Sequence, residues 1–304
     1  TSWLETIADV VIVEPDEKGN VQPQQLDKQL KLYTDRAMKI GAFTACSNVT
    51  GLITPYHEMA SVMHKHGGFC IVDFAACAPY TNIDMHPENL DEQLDAICFS
   101  PHKFLGGPGT SGVLLFNKKL YSNCVPDHPG GGTVKWTNPW GDKSYYEDIE
   151  TREDGGTPGI LQCIRTALCI RLKEEMGVDN MLEREKELLS IILPELLSIP
   201  EIKVLEPDKE ERIGIVSFTV PGVHYNLIVK LLNDKFGLQV RGGCSCAGTY
   251  GHYLFGISKQ SSKQIMELVD KGDFAAKPGW IRFSIHPTMS NAEAYQFISA
   301  IKWI

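Results

Sequence analysis

No stretch of this 304-residue chain is long and apolar enough to form a membrane-crossing helix. The most hydrophobic run, residues 188–199, is broken by Ser190, Pro194 and Glu195 and falls short of the roughly 20 residues a span requires. The opening TSWLETIADVVIVEP lacks an initiator Met, a basic n-region and a long apolar core, so it does not read as a signal peptide. No membrane association and a cytoplasmic location are expected. Positive charge is scarce: 29 Lys and Arg against 38 Asp and Glu leave a formal charge of −9, which argues against a nucleic-acid partner. Internal repeats and low-complexity tracts are absent. Cysteine is not scarce, but nine in a chain this long form no disulfide framework. Most sit inside apolar runs such as residues 69–72 and 96–99, where a free thiol packs as a small hydrophobe. Only Cys244 and Cys246 lie in a Gly-rich polar context, and no further ligands near them suggest a metal site.

What is present is ordinary globular composition, 43% hydrophobic and 22% charged, with enough apolar side chains for one large core or two smaller ones. In the first half, short apolar runs at residues 9–13, 41–46, 68–72, 95–99 and 112–116 read as strands. Leu26, Leu30, Tyr33 and Ala37 form a helical stripe, and a second helix is expected from His57 to about Lys65. Helices alternating with near-continuous apolar strands predict an α/β sheet covered on both faces. Residues 124–156 lack periodicity and read as a long functional loop. Thr157 as N-cap and Pro158 at the first position then open a helix with a Leu161, Ile164, Leu168, Leu172 stripe that ends at Gly177. Another helix starts near Val178. After Pro200 the expected order is strand 203–205, strand 213–220, helix 225–236, strand 238–241, a loop, strand 280–285, and a helix opened by the capping box Ser290 and Glu293. The predicted division is a large α/β domain over residues 1–182 and a small α+β domain over 183–304.

Four clusters carry chemistry. Asp73 closes the apolar run Ile71-Val72-Asp73; alone it reads as a turn or cap residue, and its functional reading is a carboxylate held to pair with a cationic ring nitrogen. Ser100-Pro101-His102-Lys103, followed by Gly106-Gly107-Pro108-Gly109, sets an amine suited to a Schiff base beside donors suited to a phosphate. Glu153-Asp154-Gly155-Gly156-Thr157-Pro158 marks a helix start, which also favours an anion. Arg241-Gly242-Gly243-Cys244-Ser245-Cys246 and Arg282-Phe283-Ser284 complete the set. The bland reading of the cysteine segment is a Gly-rich turn with two incidental thiols.

Ser-x-His-Lys with the following Gly-Gly-Pro-Gly, preceded about thirty residues earlier by Val-Asp-x-Ala, resembles the class V aminotransferase-like family of fold-type I pyridoxal-phosphate enzymes, in its cysteine desulfurase and selenocysteine lyase branch. The resemblance covers essentially the whole chain. It implies pyridoxal 5'-phosphate as cofactor, held covalently by Lys103, with Asp73 on the pyridinium nitrogen and Ser100 and His102 on the phosphate. Asn48 matches a family Asn near cofactor and substrate. Thr157 belongs to an element that reaches the phosphate of the other subunit, which implies a homodimer with shared active sites. Arg282 matches the arginine that grips the substrate carboxylate, and Cys246, not Cys244, matches the sulfur-accepting cysteine. The implied reaction cleaves the C–S or C–Se bond of cysteine or selenocysteine, giving alanine and a persulfide on Cys246 that a sulfur-acceptor protein could collect.

The chain departs from the family in two respects. Ala76 stands where the family usually has Gln, and on the order of a hundred residues that precede the position of Thr1 in the family have no counterpart, including a phosphate-binding turn and a ring-stacking aromatic or His. An N-terminally truncated large domain is therefore expected. The alternatives are an aminotransferase or other pyridoxal-phosphate lyase in which Cys246 is idle, and an inactive fragment acting only as an interaction subunit.

Overall fold

The computed structural model describes residues 2–16, 20–209 and 211–304. The chain divides into two units: residues 1–43, 56–79 and 83–175 form the first, and residues 44–55, 80–82 and 176–304 the second.

The first unit opens with α1 (Pro23–Leu30), where Pro23 occupies the first turn and Gln22 with Gln25 forms a capping box; Leu26 and Leu30 face inward. Strand β1 (Ile40–Thr44), helix α2 (Tyr56–Lys65), and strands β2 (Phe69–Asp73), β3 (Ala96–Phe99) and β4 (Val113–Phe116) follow. The sheet runs β1-β2-β3-β4, with β2 parallel to β3 and β4 antiparallel to β3. Met59, Ala60 and Met63 of α2 are buried, as are Cys70, Val72, Ile97 and Phe99 of the sheet. The branched and aromatic content of residues 69–73 and 96–99 favours strand, and Gly67, with φ of 67°, turns the chain from α2 into β2 as a helix-terminating glycine. A hairpin of β5 (Val134–Thr137) and β6 (Lys143–Tyr145), then α3 (Ile149–Glu153) and α4 (Ile160–Met176), complete the unit.

Four expectations are corrected here. Residues 9–13 form no strand: among the described residues they have no sheet partner, and a strand without one leaves its N–H and C=O groups to water. Residues 124–156 are not a loop throughout, since they hold the β5–β6 hairpin and α3; Glu153 ties the segment together by accepting from the Tyr121 hydroxyl and from the Asp127 N–H at 3.0 Å. Helix α4 starts at Ile160, and the Gly159 carbonyl accepts its first turn from Cys163 N–H at 2.9 Å, so Thr157 stands three residues ahead of the helix and is not its cap. The stripe on α4 is also not core: Leu161, Ile164 and Leu168 are 78%, 52% and 58% exposed, and only Cys169 is buried.

The second unit consists of α5 (Val178–Leu197), β7 (Lys203–Val204), β8 (Ile215–Thr219), α6 (Tyr225–Phe236), β9 (Arg241–Gly243), α7 (Gly248–Leu254), α8 (Lys259–Asp270), β10 (Trp280–Ser284) and α9 (Asn291–Trp303). Its sheet is antiparallel throughout in the order β7-β8-β10-β9. Leu188, Ile192 and Leu196 of α5, Ile228 and Leu232 of α6, and Ala294, Phe297 and Ile301 of α9 pack on Val216, Phe218, Ile281 and Phe283 of the sheet. Phe283 and Phe297 stack with ring centroids 3.8 Å apart. The capping box of Ser290 and Glu293 forms as the sequence predicts. Helices α7 and α8 occupy what reads from sequence as a loop; α8 is amphipathic but buries no residue. Strand β9 begins at Arg241, three residues beyond its expected start, because the register is set by pairing Arg241 with Arg282 and Gly243 with Trp280.

Candidate functional site

In the first unit two adjacent parallel strands end side by side. Asp73 is the last residue of β2 and sits opposite Cys98 of β3; the following Phe74 N–H donates to the Cys98 carbonyl at 2.8 Å. One Asp73 oxygen accepts the Ala75 N–H at 2.7 Å, an Asx turn that fixes the carboxylate at the strand tip, where the residue is exposed. Burial pushes the Cys98 thiol up, and the neighbouring Asp73 carboxylate adds to the rise. Directly after β3, Ser100 leads into a single tight turn over Pro101–Lys103, closed by Lys103 N–H to the Ser100 carbonyl at 3.0 Å. Buried Pro101 and Phe104 anchor this turn from either side, leaving His102 and Lys103 exposed and Ser100 half-buried. The chain then folds back so closely that a Cβ at Gly107 would lie 2.0 Å from the Pro101 carbonyl oxygen, and Gly106 and Gly109 take φ of 77° and 88°. Only glycine fits at Gly107. Thr157 belongs to the same unit and is exposed ahead of α4.

In the second unit a short turn over residues 47–51 carries Asn48. The Ser47 hydroxyl accepts the Val49 and Thr50 N–H groups at 3.2 and 3.1 Å, and Gly51, with φ of 76°, lies where a Cβ would meet the Ile213 carbonyl at 2.8 Å. The sheet registers Arg282 of β10 against Ser217 of β8 on one side and Arg241 of β9 on the other. Directly opposed residues share a face, so one row runs Ser217, Arg282, Arg241. Its first two members hold the turn: Ser217 donates to the Val49 carbonyl at 2.5 Å and Arg282 Nη1 to the Asn48 carbonyl at 3.0 Å. The Asn48 side chain in turn donates through Nδ2 to the Ser245 carbonyl at 2.6 Å, the peptide group that joins Ser245 to Cys246. Arg241 Nη2 donates to Cys246 Sγ at 3.3 Å, and the Cys246 residue is exposed. Asn48, Arg282 and Cys246 are thus joined in one hydrogen-bonded set.

The electrostatics of that row favour an anion. Burial lowers the Arg282 pKa from the usual guanidinium range, and the adjacent Arg241 lowers it further. Two like charges directly opposite one another repel, and Arg282 Nε is buried without a partner among the described residues. Tyr80 and His286 stand edge to face at 5.9 Å in the same unit, with Tyr80 pushed up to about 12 by burial and by Glu185, against the opposing pull of Arg282. Tyr80, Ser217 and Glu185 carry no local sequence signal. Ser217 becomes legible only once the register of β8 on β10 is known, and the other two only once the chain is folded.

Residues 4–297 match the family aminotransferase class V. Among curated relatives, a probable cysteine desulfurase of Halalkalibacterium halodurans is 31% identical over 229 residues, covering 75% of this chain and 53% of that protein. A probable cysteine desulfurase of Staphylococcus epidermidis is 30% identical over 260 residues, covering 79% of this chain and 61% of that protein. The chain therefore spans about half to three fifths of the length of these relatives. An apo cysteine desulfurase from Thermococcus onnurineus NA1 superposes with a TM-score of 0.78 at 25% identity, covering 96% of this chain and 65% of that one. The Escherichia coli cysteine desulfurase CsdA, at 22% identity and a TM-score of 0.76, shares the fold.

Proposed function

The chain belongs to the aminotransferase class V family of pyridoxal-phosphate-dependent enzymes, and on that basis we propose that it carries the machinery of a cysteine desulfurase or selenocysteine lyase. Its substrate is a small amino acid with sulfur or selenium at Cβ. The observation that carries this reading is the set in the second unit: an arginine fork suited to a planar carboxylate and an exposed thiol, linked through Asn48. A transaminase would use the arginine and leave the thiol idle.

The first unit supports the cofactor. Pyridoxal phosphate needs an amine, a carboxylate and a phosphate cradle. The residues that would supply them are the exposed Asp73 at the tip of β2, the exposed Lys103 in the turn after β3, and Ser100 and His102, followed by a turn in which only glycine fits at Gly107. Thr157 would meet a phosphate of the second subunit in a homodimer. The bound cofactor supplies an electron sink for bond cleavage at the substrate α-carbon. Lys103 Nζ would hold it and would serve as the base that takes and returns the proton at that carbon, and Asp73 would pair with the ring nitrogen. Arg282, with Asn48 beside it, orients the substrate carboxylate. Cys246 Sγ, as thiolate, attacks the substrate sulfur; the C–S electron pair stays with carbon, alanine leaves after protonation, and the outer sulfur remains on Cys246 for an acceptor protein.

The test is turnover of L-cysteine by the chain loaded with pyridoxal phosphate, read as alanine and sulfane sulfur. Lys103→Ala should abolish alanine formation. Cys246→Ala should remove the protein-bound persulfide and most activity on cysteine. Undiminished cysteine turnover in Cys246→Ala would refute the persulfide route and leave the transaminase-like reading.

A further inference from the structure

We propose that Cys244 is a resolving thiol: it attacks a persulfide on Cys246, releases the outer sulfur as sulfide and leaves a Cys244–Cys246 disulfide. The inference rests on the reading of Cys246 as the sulfur acceptor. The turn that holds the two cysteines carries it. The Ala247 N–H donates to the Cys244 carbonyl at 2.8 Å, closing a four-residue turn whose central residues, Ser245 and Cys246, have φ of 48° and 65°. Two positive φ values mark a primed turn, a conformation that ordinarily selects Gly, Asn or Asp. Ser and Cys occupy it here, and such strain persists only where the surroundings hold it. The Asn48 amide on the Ser245 carbonyl is one such hold, and Ser245, only 5% exposed, is another.

The turn brings the two cysteine Cα atoms to a separation that a disulfide can span. Residues two apart are joined by two steps of about 3.8 Å, and bending that path into a closed turn leaves roughly 5 to 6 Å between Cα atoms, inside the window of about 4.4–6.8 Å that a disulfide accepts. Each thiol has a hydrogen-bond partner that the reaction must release or exchange: Cys244 Sγ donates to the Pro278 carbonyl at 3.0 Å, and Cys246 Sγ accepts from Arg241. Their exposure differs in the useful sense, since Cys246 is exposed and Cys244 half-buried. The outer thiol meets incoming sulfur while the inner one stays out of the way. None of the other seven cysteines lies within two residues of another.

The step balances without a further oxidant. Cys244 Sγ attacks Cys246 Sγ, the bond between the inner and outer sulfur breaks, and its electron pair leaves with the outer sulfur. That sulfur takes the proton given up by Cys244 and departs as sulfide beside the Arg241 cation. The sulfane sulfur is reduced by two electrons and the two cysteines are oxidised by two. A soluble thiol or dithiol reductant restores the pair, so sulfide is released without an acceptor protein.

The experiment bypasses the cofactor. The chain is treated with inorganic polysulfide in the absence of air and reductant, and the tryptic peptide of residues 242–259, which holds both cysteines, is weighed. Wild type should lose the mass of two hydrogens, reversibly with a dithiol. Cys244→Ser and Cys244→Ala should instead retain one extra sulfur atom on Cys246, and Cys246→Ser should show neither change. Retention of the extra sulfur in wild type as stably as in Cys244→Ser would overturn the proposal, as would sulfur accumulating on Cys244 in Cys246→Ser. Failure of the desulfurase reading would appear separately, as no alanine from L-cysteine in the loaded chain.

Discussion

Glu185 offers a quantitative test of the packing in the second unit. It projects from α5 into the interior, 2% exposed, where one carboxylate oxygen accepts the Gly214 N–H at 3.0 Å and the other has no partner among the described residues. Gly214 leaves room for it: a Cβ there would lie 3.0 Å from Ile285 Cβ and 3.1 Å from the carboxylate, a tight contact that the neighbours would have to relieve. Tyr80 also senses its charge. Burial raises the Glu185 pKa from 4.5 to about 7, with the Gly214 N–H pulling the other way. The folded state therefore binds this proton more tightly than the unfolded chain. The associated stability is fully present below pH 4.5 and is lost as pH rises through about 7. At about 1.4 kcal/mol for each tenfold change in proton affinity, the whole effect is on the order of 3 kcal/mol, of which about 2 to 3 kcal/mol falls between roughly pH 5 and pH 8. Glu185→Gln keeps an acceptor for Gly214 and removes the titration. Urea unfolding of both proteins at pH 5 and pH 8 should show the variant gaining that amount relative to wild type as pH rises. The contributions of all other carboxylates cancel in this comparison. Parallel pH dependences in the two proteins would refute the argument that Glu185 is buried as a titrating group.

Two further outcomes follow from the geometry. Ser217→Ala removes the donor to the Val49 carbonyl in a fully buried position; leaving that carbonyl unpaired should cost about 1–3 kcal/mol in a denaturant melt, and Ser217→Thr should recover part of it. A loss below about 0.5 kcal/mol would show that the Asn48 turn does not depend on this bond. On α4, replacing the exposed Leu161 and Ile164 with Lys should leave stability within about 0.5 kcal/mol while reducing self-association of the chain, read by sedimentation or light scattering. Unchanged self-association would overturn the expectation, and a large destabilisation of the monomer would mean that these side chains pack within their own chain.

The helix over residues 225–236 and the cap at Ser290 could be read from sequence because their signals are local: an apolar stripe at helical period, a terminating Gly237 with φ of 67°, and a hydroxyl three residues ahead of a glutamate. The strand tips bearing Asp73 and Lys103 were legible for a similar reason, since an apolar run followed by a polar residue and glycines marks where a buried strand ends. Residues 9–13 look equally strand-like, and α4 has an equally regular stripe, yet neither is buried. Periodicity states which face an element offers, not whether another element covers it.

The amino-acid order alone specifies the side chains on offer: a lysine beside a serine and a histidine, a carboxylate, an arginine and a cysteine, each in a motif short enough to be encoded by neighbours. It took the folded chain to establish that Asn48 bridges Arg282 and the Cys246 turn, and that Glu185 lies against Gly214. Those contacts join residues 29 to 234 positions apart. Strand register and burial fix them, and both are properties of the whole fold that no local pattern contains.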